Sequence, residues 1–219
     1  MKTASWPMLR TMVGVALACG VLIVSTYEST KPVIARNRAE ALQAAIFEVL
    51  PAAASSKTFR LDDSGGFTLV EGSAPAGAAL VYAGFDDTGQ LAGLALEGAG
   101  MGYQDTIRVL WGYAPGDEAL VGMRVLESKE TPGLGDKIMT DEAFLKNFEK
   151  LDMKLSADGA ALAHSVVAVK QGGKTDPWQV DGITGATISS KAIANILNES
   201  ASFWLPRIRE NLDAFEGGR

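Results

Sequence analysis

The sequence of 219 residues holds a single cysteine, Cys19, and a single histidine, His164. Iron–sulfur clusters need several thiolates, and haem or zinc sites draw on paired His or Cys ligands, so neither centre can be built within this chain. The same count excludes a disulfide framework. Lysine and arginine total 20 against 26 aspartates and glutamates, with no basic run, which argues against nucleic-acid binding. No repeat of fixed period is visible. Hydrophobic residues make up 47% of the chain, enough for a packed core, and the length suits one domain of ordinary size plus an anchor.

The anchor is the run "TMVGVALACGVLIVSTY", residues 11–27, which carries no charge and follows Lys2 and Arg10. Seventeen residues lie at the short edge of a membrane-spanning helix. A cleaved signal peptide is the competing reading, but the apolar run continues through Val21–Val24 beyond the small residues. "ALAC", ending at Cys19, has Ala16 where a lipoprotein signal has a larger aliphatic residue. Basic residues flank the run on both sides (Lys31, Arg36 and Arg38 follow it), so charge alone assigns no orientation. A ten-residue tail (1–10) retained in the cytoplasm with the large remainder exported is the expected arrangement. The absence of cysteine beyond Cys19 fits an exported domain.

Beyond the anchor, "ARNRAEALQAAIFEVL" (35–50) has apolar residues at helical spacing and ends at Pro51. "PAAASSKT" (51–58) reads as a linker or loop, which gives a helix-and-linker region over 28–58 and a main domain over 59–219. "GAALVYAGFDDTGQLAGLAL" (77–96) reads as two strands around the turn "DDTG". Further strands are expected at 105–114, 118–128 and 163–170, and a short helix at 141–150. The last helix should start near Ser189 and run through Leu197, with Pro206 kinking or dividing it. The pattern is an α+β domain: a mostly antiparallel sheet with flanking helices.

Four stretches could carry chemistry. "DGITGATISS" (181–190) sets Thr184, Gly185, Ala186, Thr187, Ser189 and Ser190 at a helix start. Thr187 and Ser189 are good capping types, and helix-start amides also welcome a phosphate. Taken alone, the stretch reads first as a cap. "ETPGLGDKI" (130–138) builds a tight turn through Pro132, Gly133 and Gly135, which can lie against a planar ring or simply join two elements. In "GAGMGYQDTIRVL" (98–110), Tyr103 is either a core-edge aromatic or a stacking surface. "KQGGKTDPWQVD" (170–181) is either a mobile hairpin tip or a cationic rim led by Lys170.

Together these stretches resemble the FMN-binding domain of the RnfG family, the flavin-carrying component of the Rnf electron-transport complex. That family is related to the flavin-carrying component of the sodium-translocating NADH:quinone reductase. The resemblance rests on the anchor, the segment from Gly102–Tyr103 to Trp111–Gly112, "VLESKETPGLGDKI" and "DGITGATISS". It implies covalent FMN, joined through its phosphate to Thr187 by a separate magnesium-dependent flavin transferase that takes FMN from FAD. It also implies that Glu130, Thr131 and Leu134 lie close to the flavin ring, with Gly133 and Gly135 in the same loop and Lys170 and Tyr103 as further contacts. Gly185, Ala186, Thr184, Ser189 and Ser190 would surround the phosphate, whose charge the amides at 188–190 would meet.

The implied protein is a single-pass flavoprotein of the bacterial inner membrane with its domain on the periplasmic side. It would relay electrons beside membrane and iron–sulfur subunits of an ion-translocating ferredoxin/NAD oxidoreductase, a relay and not a complete enzyme. Thr106 stands where the sodium-pump relative carries an aromatic, which favours the Rnf branch. The sodium-pump flavin protein, or a non-redox anchored scaffold whose Gly-Ala-Thr turn is only a cap, are the alternatives.

Overall fold

The computed structural model describes residues 5–72, 75 and 77–216; Lys2, in the expected cytoplasmic tail, lies outside the described residues. The chain divides into two compact units, Met1–Gln43 and Ala44–Arg219. The first consists of most of one helix, α1 (Ser5–Val49), whose apolar side chains such as Val13, Leu17, Val21 and Val24 are exposed. Among the described residues this is the one helix long and apolar enough to cross a membrane, with a mean hydropathy of 2.0 over its best window. Hydroxyls inside it turn back to the backbone: Thr11 donates to the Pro7 carbonyl (2.9 Å) and Ser29 to Ser25 (2.7 Å). The sequence suggests an apolar segment, then a separate helix from residue 35. Instead α1 runs unbroken through Pro32, which forfeits one backbone hydrogen bond without ending the helix.

The second unit is built on a seven-stranded sheet of order β2-β1-β3-β4-β5-β6-β7, antiparallel throughout. Its strands are β1 (Ser55–Leu61), β2 (Phe67–Leu69), β3 (Leu80–Phe85), β4 (Leu91–Met101), β5 (Thr106–Ala114), β6 (Ala119–Glu127) and β7 (Leu151–Asp152). The α+β class and the antiparallel sheet are as expected. The linker reading of 51–58 is corrected: Ser55 already pairs with Phe85, and β1 buries Phe59 in the core. The turn between β3 and β4 is tied by Asp86, whose carboxylate accepts from the Thr88 and Gln90 amides (2.8 and 2.9 Å).

After β6 come a 3-10 turn (Gly135–Met139) and α2 (Glu142–Leu145), capped by Asp141, which accepts from the Phe144 amide at 2.9 Å. The helix expected over 141–150 therefore shortens to one α turn followed by a 3-10 turn, Lys146–Phe148. The strand expected at 163–170 shrinks to β8 (Val167–Val169), which pairs in parallel with β9 (Gln179–Asp181). The long helix α3 (Thr187–Glu210) passes through Pro206 without dividing and breaks only at Asn211, before α4 (Leu212–Glu216). It starts two residues earlier than the sequence suggests.

Side chains alternate across a strand, so the two faces of the sheet take different partners. On one face α3 lies close: a Cβ added to Gly98 or Gly100 would meet Ile196 at 2.8 or 2.7 Å. There the Trp111 indole donates to the Ser200 hydroxyl (3.0 Å), which donates to the Glu97 carbonyl (3.0 Å). On the opposite face Gly84, Gly93, Gly112 and Gly122 leave a groove filled by Val49 and Leu50, at and just past the end of α1. A Cβ on Gly112 would stand 2.1 Å from the Val49 carbonyl oxygen. Ala45, Ile46, Val49 and Leu50 are all buried, which fixes the last turns of α1 against the sheet.

Candidate functional site

Three segments meet at the end of the sheet where α3 begins: the β4–β5 turn at Gly102–Asp105, the loop after β6 at Ser128–Gly135, and the turn Gly182–Ala186 leading into α3. Between them lies a cleft of about 330 Å³ lined by Tyr103, Glu130, Thr131, Leu134, Gly135 and residues Gly185–Ser189. Its rim is apolar and open to solvent: Tyr103 is 64% exposed, Ile188 54% and Leu134 51%. Gly185 takes φ +88°, the left-handed conformation that a non-glycine residue resists. Gly133, which turns at φ +77°, does not line the cleft.

The four hydroxyls of "TGATISS" divide into two pairs. Ser190 is buried, and its hydroxyl accepts from the Ile183 amide (3.1 Å) and donates to the Ala186 carbonyl (2.9 Å), stapling the turn to the helix. Ser189 is buried and donates to the Glu130 carboxylate. Thr184 is exposed, and its amide donates to the Gln171 side chain at 3.2 Å. Thr187, also exposed, has no hydrogen-bond partner for its hydroxyl among the described residues. It is not a cap. The residue at the cap position is Ala186, which offers no side-chain acceptor. Ser190 N–H already donates to the Ala186 carbonyl (2.9 Å), so the open donors of the first turn are the amides of 187–189, not 188–190.

Glu130, expected in this loop, is buried and ties it to its neighbours. Only 6% exposed, it accepts at Oε1 from the amides of Tyr103 (2.8 Å) and Gln104 (3.0 Å) and at Oε2 from Ser189. Next to it the Lys129 ammonium bridges to Asp105 (2.6 Å), a contact that holds the Asp105 carboxyl below and the Lys129 ammonium above their ordinary values. Lys170 does not reach this cleft. It lines a second cavity of about 330 Å³ with Gln171, Thr184, Ser190 and Lys191, and the two cavities share only Thr187.

The sequence left Asn147 unnoticed. Buried beneath β9, its amide nitrogen donates to the carbonyls of Phe144 (2.9 Å) and Asp181 (3.2 Å), and its oxygen accepts from the Asp181 amide (3.0 Å) and Lys174 (3.2 Å). Partial burial pushes the Lys174 ammonium down, with Asp181 opposing the shift. The Asp181 carboxylate, nearest to Thr187 in sequence, is committed to the amides of Gly172 (2.9 Å) and Gly173 (3.2 Å). His164 stacks flat on Trp178, with ring centroids 3.8 Å apart. Neither is placed to take a proton from Thr187. The only signal for Asn147 in the sequence was its place after the apolar turn "AFLK".

Comparison with known families gives the class, an FMN-binding domain carried on an apolar helix. Residues 102–202 match the FMN-binding domain family and residues 10–49 match the RnfG N-terminal region. The chain is 30% identical to the G component of the ion-translocating oxidoreductase complex of Methanosarcina acetivorans, over 88% of its own length and 90% of that protein. It is also 30% identical to the corresponding component from Cereibacter sphaeroides, covering 86% of this chain and 79% of that one. The fold matches the crystal structure of Shewanella oneidensis NqrC with a TM-score of 0.56 at 21% identity, over 83% of this chain and 96% of that one. The chain belongs to the RnfG family of ion-translocating oxidoreductase complexes.

Proposed function

We propose that this chain is a membrane-anchored electron-relay subunit whose FMN is esterified through its phosphate to the Thr187 hydroxyl. The observation that carries the reading is the isolation of that hydroxyl. It is the one group of "TISS" both exposed and uncommitted within the first turn of α3, and it borders both cavities.

The surrounding residues suit FMN. A cleft of about 330 Å³ lies within the range of small-molecule sites, roughly 300–1,000 Å³. Leu134, Tyr103 and Ile188 would cover the ring and exclude water, while the amides of 187–189 and the positive end of α3 would face the phosphate. Lys170 and Lys191, on the second cavity, supply positive charge near the same atom. When bound, the flavin supplies the electron-transfer chemistry, and the protein sets its position and potential. With neither His164 nor Asp181 placed to activate it, Thr187 needs an outside flavin transferase. With FAD as donor, the new Thr187 Oγ–phosphorus bond replaces the pyrophosphate bond, AMP leaves with the electron pair, and the hydroxyl proton is taken up by the transferase.

The anchor, the family match over residues 10–49 and the absence of cysteine beyond residue 19 support a domain outside the bacterial inner membrane, beside membrane and iron–sulfur subunits. Likeness to NqrC leaves the sodium-pump flavin protein as a second reading; the match to the RnfG N-terminal region favours the first. Fluorescence in a denaturing gel of protein made in a host with the transferase tests the proposal. The wild type should glow and Thr187→Ala should be dark. A dark wild type would return the chain to the scaffold reading.

A further inference from the structure

We infer that Glu130 is the positioning residue of the cleft: its buried carboxylate fixes the loop that faces the cofactor against the turn that carries it. The inference rests on the reading that Thr187 holds FMN. From the loop after β6, one side chain reaches both the β4–β5 turn and the first turn of α3. Oε1 takes the amides of Tyr103 and Gln104, and Oε2 takes the Ser189 hydroxyl, two residues beyond Thr187. No cation is paired with this carboxylate among the described residues, so three donors alone compensate its burial.

Two glycines make room for it. A Cβ on Gly102 would stand 2.4 Å from Oε1. A Cβ on Gly135 would stand 2.5 Å from Oε2 and 2.8 Å from the Ser189 hydroxyl. Neither glycine has a positive φ, so what each position requires is space. The Ser that follows Thr187 at two residues thus serves Glu130, not a phosphate. Because Ser189 and Thr187 share one helical turn, loss of this carboxylate frees Thr187 to shift relative to Leu134 and Tyr103.

Hydrogen exchange measured on the full-length chain in a flavin-free Thr187→Ala background gives the first arm. Glu130→Ala should speed exchange of the Tyr103 and Gln104 amides by about tenfold or more, the loss of a charge-assisted hydrogen bond. Glu130→Gln keeps an acceptor for the two amides and an NH2 that Ser189 can accept, so its exchange should lie closer to the parent than to Glu130→Ala. In flavin-loaded protein, the second arm, Glu130→Ala should retain the covalent flavin but lose most of its visible circular dichroism and fluorescence anisotropy. Glu130→Gln should restore both. Unchanged exchange in Glu130→Ala overturns the inference. So does faster exchange with an unaltered flavin spectrum, which would make Glu130 a fold residue only. If Glu130→Ala does not fold, Ser189→Ala, which removes the Oε2 donor and leaves the two Oε1 bonds, carries the flavin arm: loss of the dichroism and anisotropy supports the inference and an unaltered flavin spectrum overturns it. A wild type without denaturation-resistant flavin defeats the Thr187 reading instead, while the exchange arm still judges Glu130.

Discussion

Ser190→Ala and Thr187→Ala, three positions apart on one helix, should have opposite effects. Ser190 is fully buried, and its hydroxyl is the acceptor for the Ile183 amide. Alanine leaves that amide buried without a partner, at a cost of about 1–3 kcal/mol, while the Ala186 carbonyl keeps its bond from the Ser190 amide. Taking about 2 kcal/mol, and roughly 2–4 °C per kcal/mol for a domain of this size, the melting temperature should fall by about 4–8 °C. Thr187 presents an exposed hydroxyl with no partner among the described residues, so its removal should stay within about 0.5 kcal/mol, or about 2 °C. Melting should be followed by circular dichroism on proteins made without the transferase, so that the flavin does not contribute. Loading is then read in gel on proteins made with it. Thr187→Ala should melt like wild type and carry no flavin; Thr184→Ala should melt like wild type and carry it; Ser190→Ala should melt low yet still load. A Thr187→Ala protein melting as low as Ser190→Ala, or a Ser190→Ala protein melting like wild type, would refute this division of the hydroxyls.

Gly112→Ala forces a Cβ to within 2.1 Å of the Val49 carbonyl oxygen, a backbone atom that cannot swing aside, and should destabilise the second unit by about 3 kcal/mol in a denaturant titration. Leu134→Arg should leave loading at Thr187 intact and raise the flavin's reduction potential, since a cation at the exposed rim favours the added electron; equal loss of loading in Leu134→Arg and Thr187→Ala counts against it. Protease added to intact spheroplasts should digest residues 28–219 and leave a small membrane-held fragment. Protection until the membrane is broken would reverse the assigned topology.

The strands β3 to β6 were legible because each is an apolar run closed by a turn signal, as with Asp86 and Gly89 between β3 and β4. β1 was not. "SSKTFRL" buries only Phe59, so it carries little alternation, and its place comes from pairing with β3 and β2. Pro206 read as a breaker, yet it sits, as Pro32 does, inside a long helix whose remaining hydrogen bonds tolerate one lost donor. In the site, the motifs located the segments that line the cleft, but sequence does not say which hydroxyls turn inward. Ser189 and Ser190 were grouped with Thr187 and Thr184 as phosphate partners, whereas burial commits them to Glu130 and to the turn. Glu130 was expected beside a ring because its loop was. Its role as a tie depends on Gly102 and Gly135, which neighbour it only in the fold. Lys170 was expected with Tyr103 and instead lines the second cavity, because the parallel pairing of β8 with β9 sends its loop past the other flank of Thr187.

The most direct test of the central claim is the mass of the intact protein extracted from membranes, followed by mapping of the peptide that spans residues 181–190. An increment equal to FMN less one water is expected, located on Thr187 and absent from Thr187→Ala. An unmodified chain, or the same increment retained in Thr187→Ala, would contradict it.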